Sequence, residues 1–384
     1  MSDALYDPAR ALEDAAAMPG VRPVRLHRIG LPLFAVEIDA LIDDRQPYDL
    51  LDRFVGRAIA EAELRTVPEI AGFLGLDEVM VDRVLRFLSG VGHVVSRPDG
   101  TVALTDLGAR SVRDDTRYVS KRDRQKLYFD GVLGEPLPAA YYGRKVVVWD
   151  AAQAVEQQWH RLMTHACAFH NDALTRLAAR PDRRDFNIPD ELREVAFSSS
   201  GHAYLPCYLL RTETPRGPSL LAYSAVSESH DEHLEKLCRG WPALTAILNT
   251  GDSDDVRAEF GPWLDKRDID PSRLSWTADG TLRLTLSPAD FTAGGRKGIF
   301  SIVRLGSYIT PRSHVLQLWC DDPDFRRQAV LERALTRVTA SRDIEPAEAE
   351  AFLSRLCTQL ETEPLSLDDL RRHAHKTGHF LLPL

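Results

Sequence analysis

At 384 residues, with 44% apolar and 27% charged side chains, the chain has the length and balance of a globular protein of two or three domains, which excludes a disordered or fibrous one. Its net charge of −9 excludes a generally basic surface, so any nucleic-acid contact has to come from a local patch. The five cysteines (Cys167, Cys207, Cys238, Cys320 and Cys357) are odd in number and form no C-x-x-C pair, which argues against a disulfide framework or a zinc ribbon and for buried thiols in a reducing compartment.

The first residues carry Asp3, Asp7, Glu13 and Asp14 and no apolar run, so they do not read as a signal peptide. No stretch approaches the roughly 18 apolar residues of a membrane span. The expectation is a soluble cytoplasmic protein with no membrane partner. Residues 1–47 form a lead-in. Within it, 21–28 alternates basic and apolar residues and 33–42 is mostly apolar, which fits a short strand or helix.

Residues 48–114 are the most legible part. Leu50, Leu51, Phe54, Val55, Ala58 and Ile59 recur at helical spacing and predict one buried stripe. Thr66-Val67-Pro68-Glu69 is a capping box with proline just inside the helix start. That helix ends at Gly75, and Asp77 caps a third helix whose apolar face is Val81, Val84, Leu85 and Leu88. Two short β-prone runs, 93–96 and 101–104, flank Pro98-Asp99-Gly100 and predict a hairpin. Thr105-Asp106-Leu107-Gly108 leads back into a helix.

This layout over 48–112 resembles the winged helix-turn-helix domains of bacterial regulators. The residues that carry it are Thr66 to Ala71, Leu74-Gly75-Leu76, Val81 to Leu88, Gly92 to Val95 and Leu104 to Gly108. The resemblance implies that the third helix enters a major groove, with Glu78, Asp82, Arg83 and Arg86 outward and Arg97 at the wing tip. It covers about a sixth of the chain. Similar modules also open many small-molecule O-methyltransferases, where they dimerise. The glycine-rich loop such an enzyme needs is missing, since neither Ser198 to Gly201 nor Gly294 to Gly298 has its spacing.

Beyond the module, 115–190 reads as a basic and aromatic linker with a helical connector, 191–320 as an α+β domain with antiparallel hairpins, and 321–384 as C-terminal helices. Over 110–126, seven basic residues (Arg110, Arg113, Arg117, Lys121, Arg122, Arg124 and Lys126) stand against three acidic ones. They form either a phosphate-contacting segment or a solvated helical face. Residues 127–142 read as an aromatic-anchored loop. A helix is expected from Asp150 to about Arg180, with Val155, Trp159, Leu162 and Met163 on one side. Later strands are expected at 195–197, 203–211, 219–227, 274–277, 282–286, 299–303 and 314–319. Helices are expected at 325–338, 346–360 and 367–375.

No catalytic signature emerges. His160, His165, Cys167 and His170 spread over nearly three turns of the expected helix. His230 and His233 lack the i, i+4 spacing of a metalloprotease motif, and an N-cap at Ser229 explains the stretch. Ser199, Ser200 and His202 lack a nucleophile elbow. His373, His375 and His379 lie in a basic helix end. We therefore expect no catalytic residues, metal or cofactor.

The reading is a non-enzymatic α+β protein associated with DNA, either a regulator or a subunit of a bacterial system acting on nucleic acid, with an enzyme whose site lies in 190–320 as a third reading. Arg83, Arg86, Arg97, Arg110, Arg113, Arg117, Lys121, Arg122, Arg124 and Lys126 would contact double-stranded DNA. The competing reading is an assembly factor whose module contacts protein partners or a second copy. It is motivated by a local charge of −3 over 48–114, from eight basic and eleven acidic side chains.

Overall fold

The computed structural model describes residues 6–157, 160–249, 255–292, 297–340 and 344–379. In chain order the elements begin with α1 (Pro8–Ala17), β1 (Arg22–Gln46), α2 (Leu50–Ala60), α3 (Val67–Leu74), α4 (Glu78–Gly90), β2 (Val94–Ser96), β3 (Val102–Leu104), α5 (Asp106–Arg113) and β4 (Arg117–Asp130). Next come β5 (Trp149–Asp150), α6 (Ala151–Glu156), β6 (Arg161–Leu162), α7 (Asp172–Ala178), β7 (Leu192–Thr214), β8 (Gly217–Tyr223), α8 (Glu232–Arg239), α9 (Leu244–Asn249) and α10 (Val256–Asp265). The chain continues through β9 (Leu274–Trp276), β10 (Leu282–Thr285), β11 (Phe291–Thr292), β12 (Phe300–Ser301), β13 (Tyr308–Ile309) and β14 (Leu316–Trp319) to α11 (Pro323–Ala340), α12 (Pro346–Gln359) and α13 (Leu367–Lys376). The fold class is α+β, with antiparallel strand pairs and a helical C-terminal part. Trp159, residues 250–254 and Gly294, Gly295 and Arg296 lie outside the described residues.

The chain divides into two compact units, one made of 33–142 and 165–203, the other of the segments up to 32, 143–164 and from 204 on. In the first, β1 pairs antiparallel with β4 from Leu33 opposite Asp130 to Gln46 opposite Arg117. Phe34, Val36, Ile38, Ala40 and Ile42 turn to one face and form a core with Leu127, Phe129 and Ala173, Leu174 and Leu177 of α7. A second core joins Val55 and Ile59 of α2, Ile70 of α3, Val81, Val84, Leu85 and Leu88 of α4, and Val94 and Val102 of the hairpin.

In the other unit, β7 pairs antiparallel with β8 from Tyr208 opposite Tyr223 to Thr214 opposite Gly217. A second sheet runs β13-β14-β10-β9. Its β9–β10 hairpin is antiparallel, as the Asp279-Gly280 turn predicts, whereas β10 and β14 are parallel. Helices α10 to α13 close its core. The buried Glu259 of α10 accepts from the backbone of Ser313 (2.8 Å) and His314 (3.0 Å) and from His314 Nδ1 (2.6 Å), which pins the approach to β14.

Several elements differ from expectation. The segment after α5 is a 14-residue strand, not a helical face or loop. Its period of two is obscured because the partly buried Asp123 and Gln125 are as polar as the outward Arg122, Arg124 and Lys126 between which they alternate. The lead-in contains a 25-residue strand, and its burial is almost continuous from Leu26 to Phe34, which erases the alternation that marks a strand. The helix expected from Asp150 to Arg180 splits into α6 and α7, because Ile29 and Gly30 of β1 recruit Arg161 and Leu162 as a parallel strand. Strand β7 also runs straight through the break expected between 197 and 203. Helix α8 is capped by Asp231, which accepts from Leu234 N (3.1 Å), and not by Ser229.

Candidate interaction surface

Local chemistry builds the four helices and hairpin of 50–113. Glu69 Oε2 accepts from the amides of Arg65 (3.1 Å) and Thr66 (3.0 Å), and these bonds hold its carboxyl below the usual range. Gly75 ends α3 in the left-handed conformation at φ 65°, which a residue with a Cβ adopts only at a cost. Asp77 caps α4 through Val79 N at 2.7 Å. Thr105 caps α5 through Gly108 N at 3.1 Å, and a Cβ on Gly108 would sit 2.1 Å from the His93 carbonyl oxygen. His93 is fully buried, and its Nε2 lies 2.6 Å from the carbonyl oxygen of Tyr118, so the ring ties the module to β4.

Helix α4 buries Val81, Val84, Leu85 and Leu88 as expected. Its outward side carries apolar groups as well as the charges. At 100° per residue, Val79, Arg83 and Arg86 centre on the solvent side, with Met80 and Phe87 on one flank and Asp82 on the other. Val79 is 76% exposed, Met80 45% and Phe87 44%, and Phe73 of α3 is 63% exposed. The helical spacing of Val79, Met80 and Phe87 is a sequence signal for this face that its charges mask. Leu50 and Phe54 of α2, expected in the buried stripe, are exposed instead, because the stripe that packs runs through Val55, Ala58 and Ile59.

Six of the ten nominated cations are engaged with carboxylates. Arg86 pairs with Asp82 within α4, and Arg110 reaches the buried Asp43 of β1 while its guanidinium lies 4.2 Å from the Tyr118 ring centroid. Arg113 lies 3.7 Å from Asp114, Arg117 3.4 Å from Asp52, Lys121 3.8 Å from Asp44 and Arg124 3.2 Å from Asp39. Burial, reinforced by Asp49, raises the Asp52 carboxyl above its usual range even with Arg117 beside it. Arg117 also lies over the Phe87 ring at 5.4 Å, so the start of β4 adjoins the end of α4. Among the described residues Arg83, Arg97, Arg122 and Lys126 form no ion pair.

The histidine clusters resolve into separate contacts. His165 stacks on His202 at 3.9 Å, while His160 packs edge-on against Trp149 at 5.0 Å. His230 Nδ1 lies 2.9 Å from Glu235, and His373 lies 3.3 Å from Glu332. Among the described residues no three His, Cys, Asp or Glu side chains are grouped to hold a metal ion. No described helix is long and apolar enough to cross a membrane. In the unit containing β14, a polar cleft of about 500 Å³ is lined by Arg22, Arg283, Tyr308, Gln317 and Glu361. Arg283 is satisfied there by Gln317 (2.8 Å) and Glu361 (2.5 Å) and by stacking over Trp319. Comparison of the chain with protein-family models, curated proteins and solved structures gives no match.

Proposed function

We propose that this protein is an assembly factor whose 48–114 module, read as a winged helix-turn-helix, contacts protein through the outer face of α4. The observation that carries this reading is the exposure of Val79, Met80 and Phe87 on the helix that a DNA reader would insert into a groove. A groove-facing helix is rich in groups that meet phosphate oxygens and base edges. Exposed large apolar side chains gathered on one element mark protein contact instead. The ion pairing of Arg86, Arg110, Arg113, Arg117, Lys121 and Arg124 further reduces the charge available to a duplex.

A photo-cross-linking side chain in place of Met80 tests this reading. The expected product is an adduct with a polypeptide, formed in cells and absent when the same group replaces the exposed Val155 of α6. Adducts only with nucleic acid, or none, overturn it.

A second reading, duplex association, is favoured by Arg83, Arg97, Arg122 and Lys126, the four nominated cations that form no ion pair among the described residues. It predicts retention on random duplex DNA at low salt that weakens steeply as salt rises. Retention unchanged after charge reversal of Arg83 and Arg97 together with Arg122 and Lys126 would remove it.

A further inference from the structure

We propose that the outer edge of β4 is a docking site for an extended acidic peptide, which joins the sheet as a further strand beside residues 120–126. This site uses a different element from the α4 face and stands without that reading. β4 ends its sheet, with β1 as its one strand neighbour among the described residues. Backbone groups of alternate residues therefore point away from β1. Those of Tyr118 and Tyr128 are taken up within the protein. Tyr118 donates its amide to Ser111 Oγ (3.2 Å), and its carbonyl oxygen lies 2.6 Å from His93 Nε2. Tyr128 donates to the Tyr142 hydroxyl (2.7 Å) and accepts from Leu137 N (2.8 Å). Ser120, Arg122, Arg124 and Lys126 share this direction, because the register against β1 is unbroken from Arg117 to Asp130. Among the described residues nothing bonds to their amides or carbonyls. The edge from Ser120 to Lys126, roughly 20 Å long, is thus closed at both ends and open along its middle.

The side chains of this edge select the partner. Lys121, Arg122, Arg124 and Lys126 stand against Asp123, a local charge of +3 in a chain of −9. Arg122, Arg124 and Lys126 are exposed and lie on one face, spaced by about 7 Å. Arg122 and Lys126 form no ion pair among the described residues, and Arg124 meets the exposed Asp39. A strand beside them places alternate side chains on that face, so acidic groups at every second position meet the cations directly. The intervening side chains turn to the face of Gln125, where Arg184, Asn187 and Pro189 join it in lining a hollow of about 410 Å³. Charged side chains also keep edges from pairing with one another. Cations of one sign repel a second copy of this edge but attract a strand of the opposite sign. A nucleic acid would answer the charge alone, whereas an extended peptide also satisfies the row of amides and carbonyls.

The test is fluorescence anisotropy of the labelled peptide Thr-Glu-Val-Glu-Thr-Glu-Val with the full chain, at about 0.1 M salt, where the screening length is close to 10 Å. The expected Kd is on the order of 100 µM, weak because the peptide is ordered as it binds. Replacing the three glutamates by glutamine should weaken binding at least about tenfold. The R122E/K126E variant, shown by circular dichroism to be folded, should lose binding to the same extent and instead take a peptide with lysine at the three glutamate positions. Methylating the backbone nitrogens of the glutamates, which face β4 in an antiparallel strand, should abolish binding, and methylating those of the residues between them should not. The converse pattern places the strand parallel at the same edge. No binding of the acidic peptide overturns the proposal, as does undiminished binding to R122E/K126E, an equal effect of both sets of methyl groups, or binding of random duplex DNA in place of the peptide.

Discussion

Arg110 of α5 reaches across 67 positions of sequence to the carboxylate of Asp43 on β1, which is 1% exposed. Ser120 of β4 donates to the same carboxylate at 2.5 Å, and Arg193 of β7 lies 3.6 Å from it. One buried charge thus gathers α5 and three strands of the unit. A buried carboxylate is tolerated only with cations and donors around it, and removing one partner leaves the other uncompensated.

Replacing Asp43 by Ala should therefore cost about 3–5 kcal/mol of folding stability, because it strands the half-buried Arg110 and removes the partner of Ser120. Urea unfolding of D43A, R110A and the double variant measures this. The cycle should return a coupling of at least ~1 kcal/mol, and purely additive losses would refute the assignment.

Gly108→Ala should destabilise the module by about 2–3 kcal/mol, since the backbone must move to separate the new methyl from the His93 carbonyl. Gly72, with nothing within 4 Å of an added Cβ, is the control. Gly72→Ala should be neutral or slightly stabilising by the helix preference for alanine.

The Glu259–His314 contact sets an acid limit. Burial alone would raise the Glu259 carboxyl, but its hydrogen bonds from His314 and Ser313 outweigh burial and hold it below the ordinary value of 4.5. Its contribution is therefore complete above that value and is lost as pH falls toward the lowered one. Glu259→Gln should lower the urea midpoint at pH 7 and flatten its decline between about pH 5 and 3. An unchanged decline would show that other groups control it.

His160 should act in a higher pH window. Burial, helped by the nearby Arg28, depresses its imidazole from 6.5 to about 4. The neutral ring is favoured in the fold, so the stability it supplies is full above 6.5 and declines as pH falls toward about 4. His160→Phe keeps an aromatic ring against Trp149 and should remove that part of the pH dependence. NMR titration of the wild-type ring checks the value directly, and a midpoint near 6.5 would contradict it.

The sequence alone determined whatever depends on neighbours a few positions apart. The capping box at Thr66 and Glu69, the left-handed stop at Gly75, the caps at Asp77 and Thr105 and the buried stripe of α4 are set by local hydrogen bonds and the 3.6-residue period, so the order of residues suffices to place them. The same holds for α11 to α13, whose bounds fall close to those expected. Only the tertiary structure decided which cations stay outside ion pairs, because Arg110, Arg117 and Arg124 meet carboxylates 67, 65 and 85 positions away. It also decided that 117–130 is a strand, since what makes it one is the register against β1, and polar Asp123 and Gln125 between the outward basic side chains hide the alternation from any reading of the segment alone. The same separation of scales holds for the α4 face. Its spacing is present in the sequence, but how far Val79, Met80 and Phe87 are covered depends on elements brought in from elsewhere: Arg117 of β4 lies over the Phe87 ring, and all three side chains remain exposed.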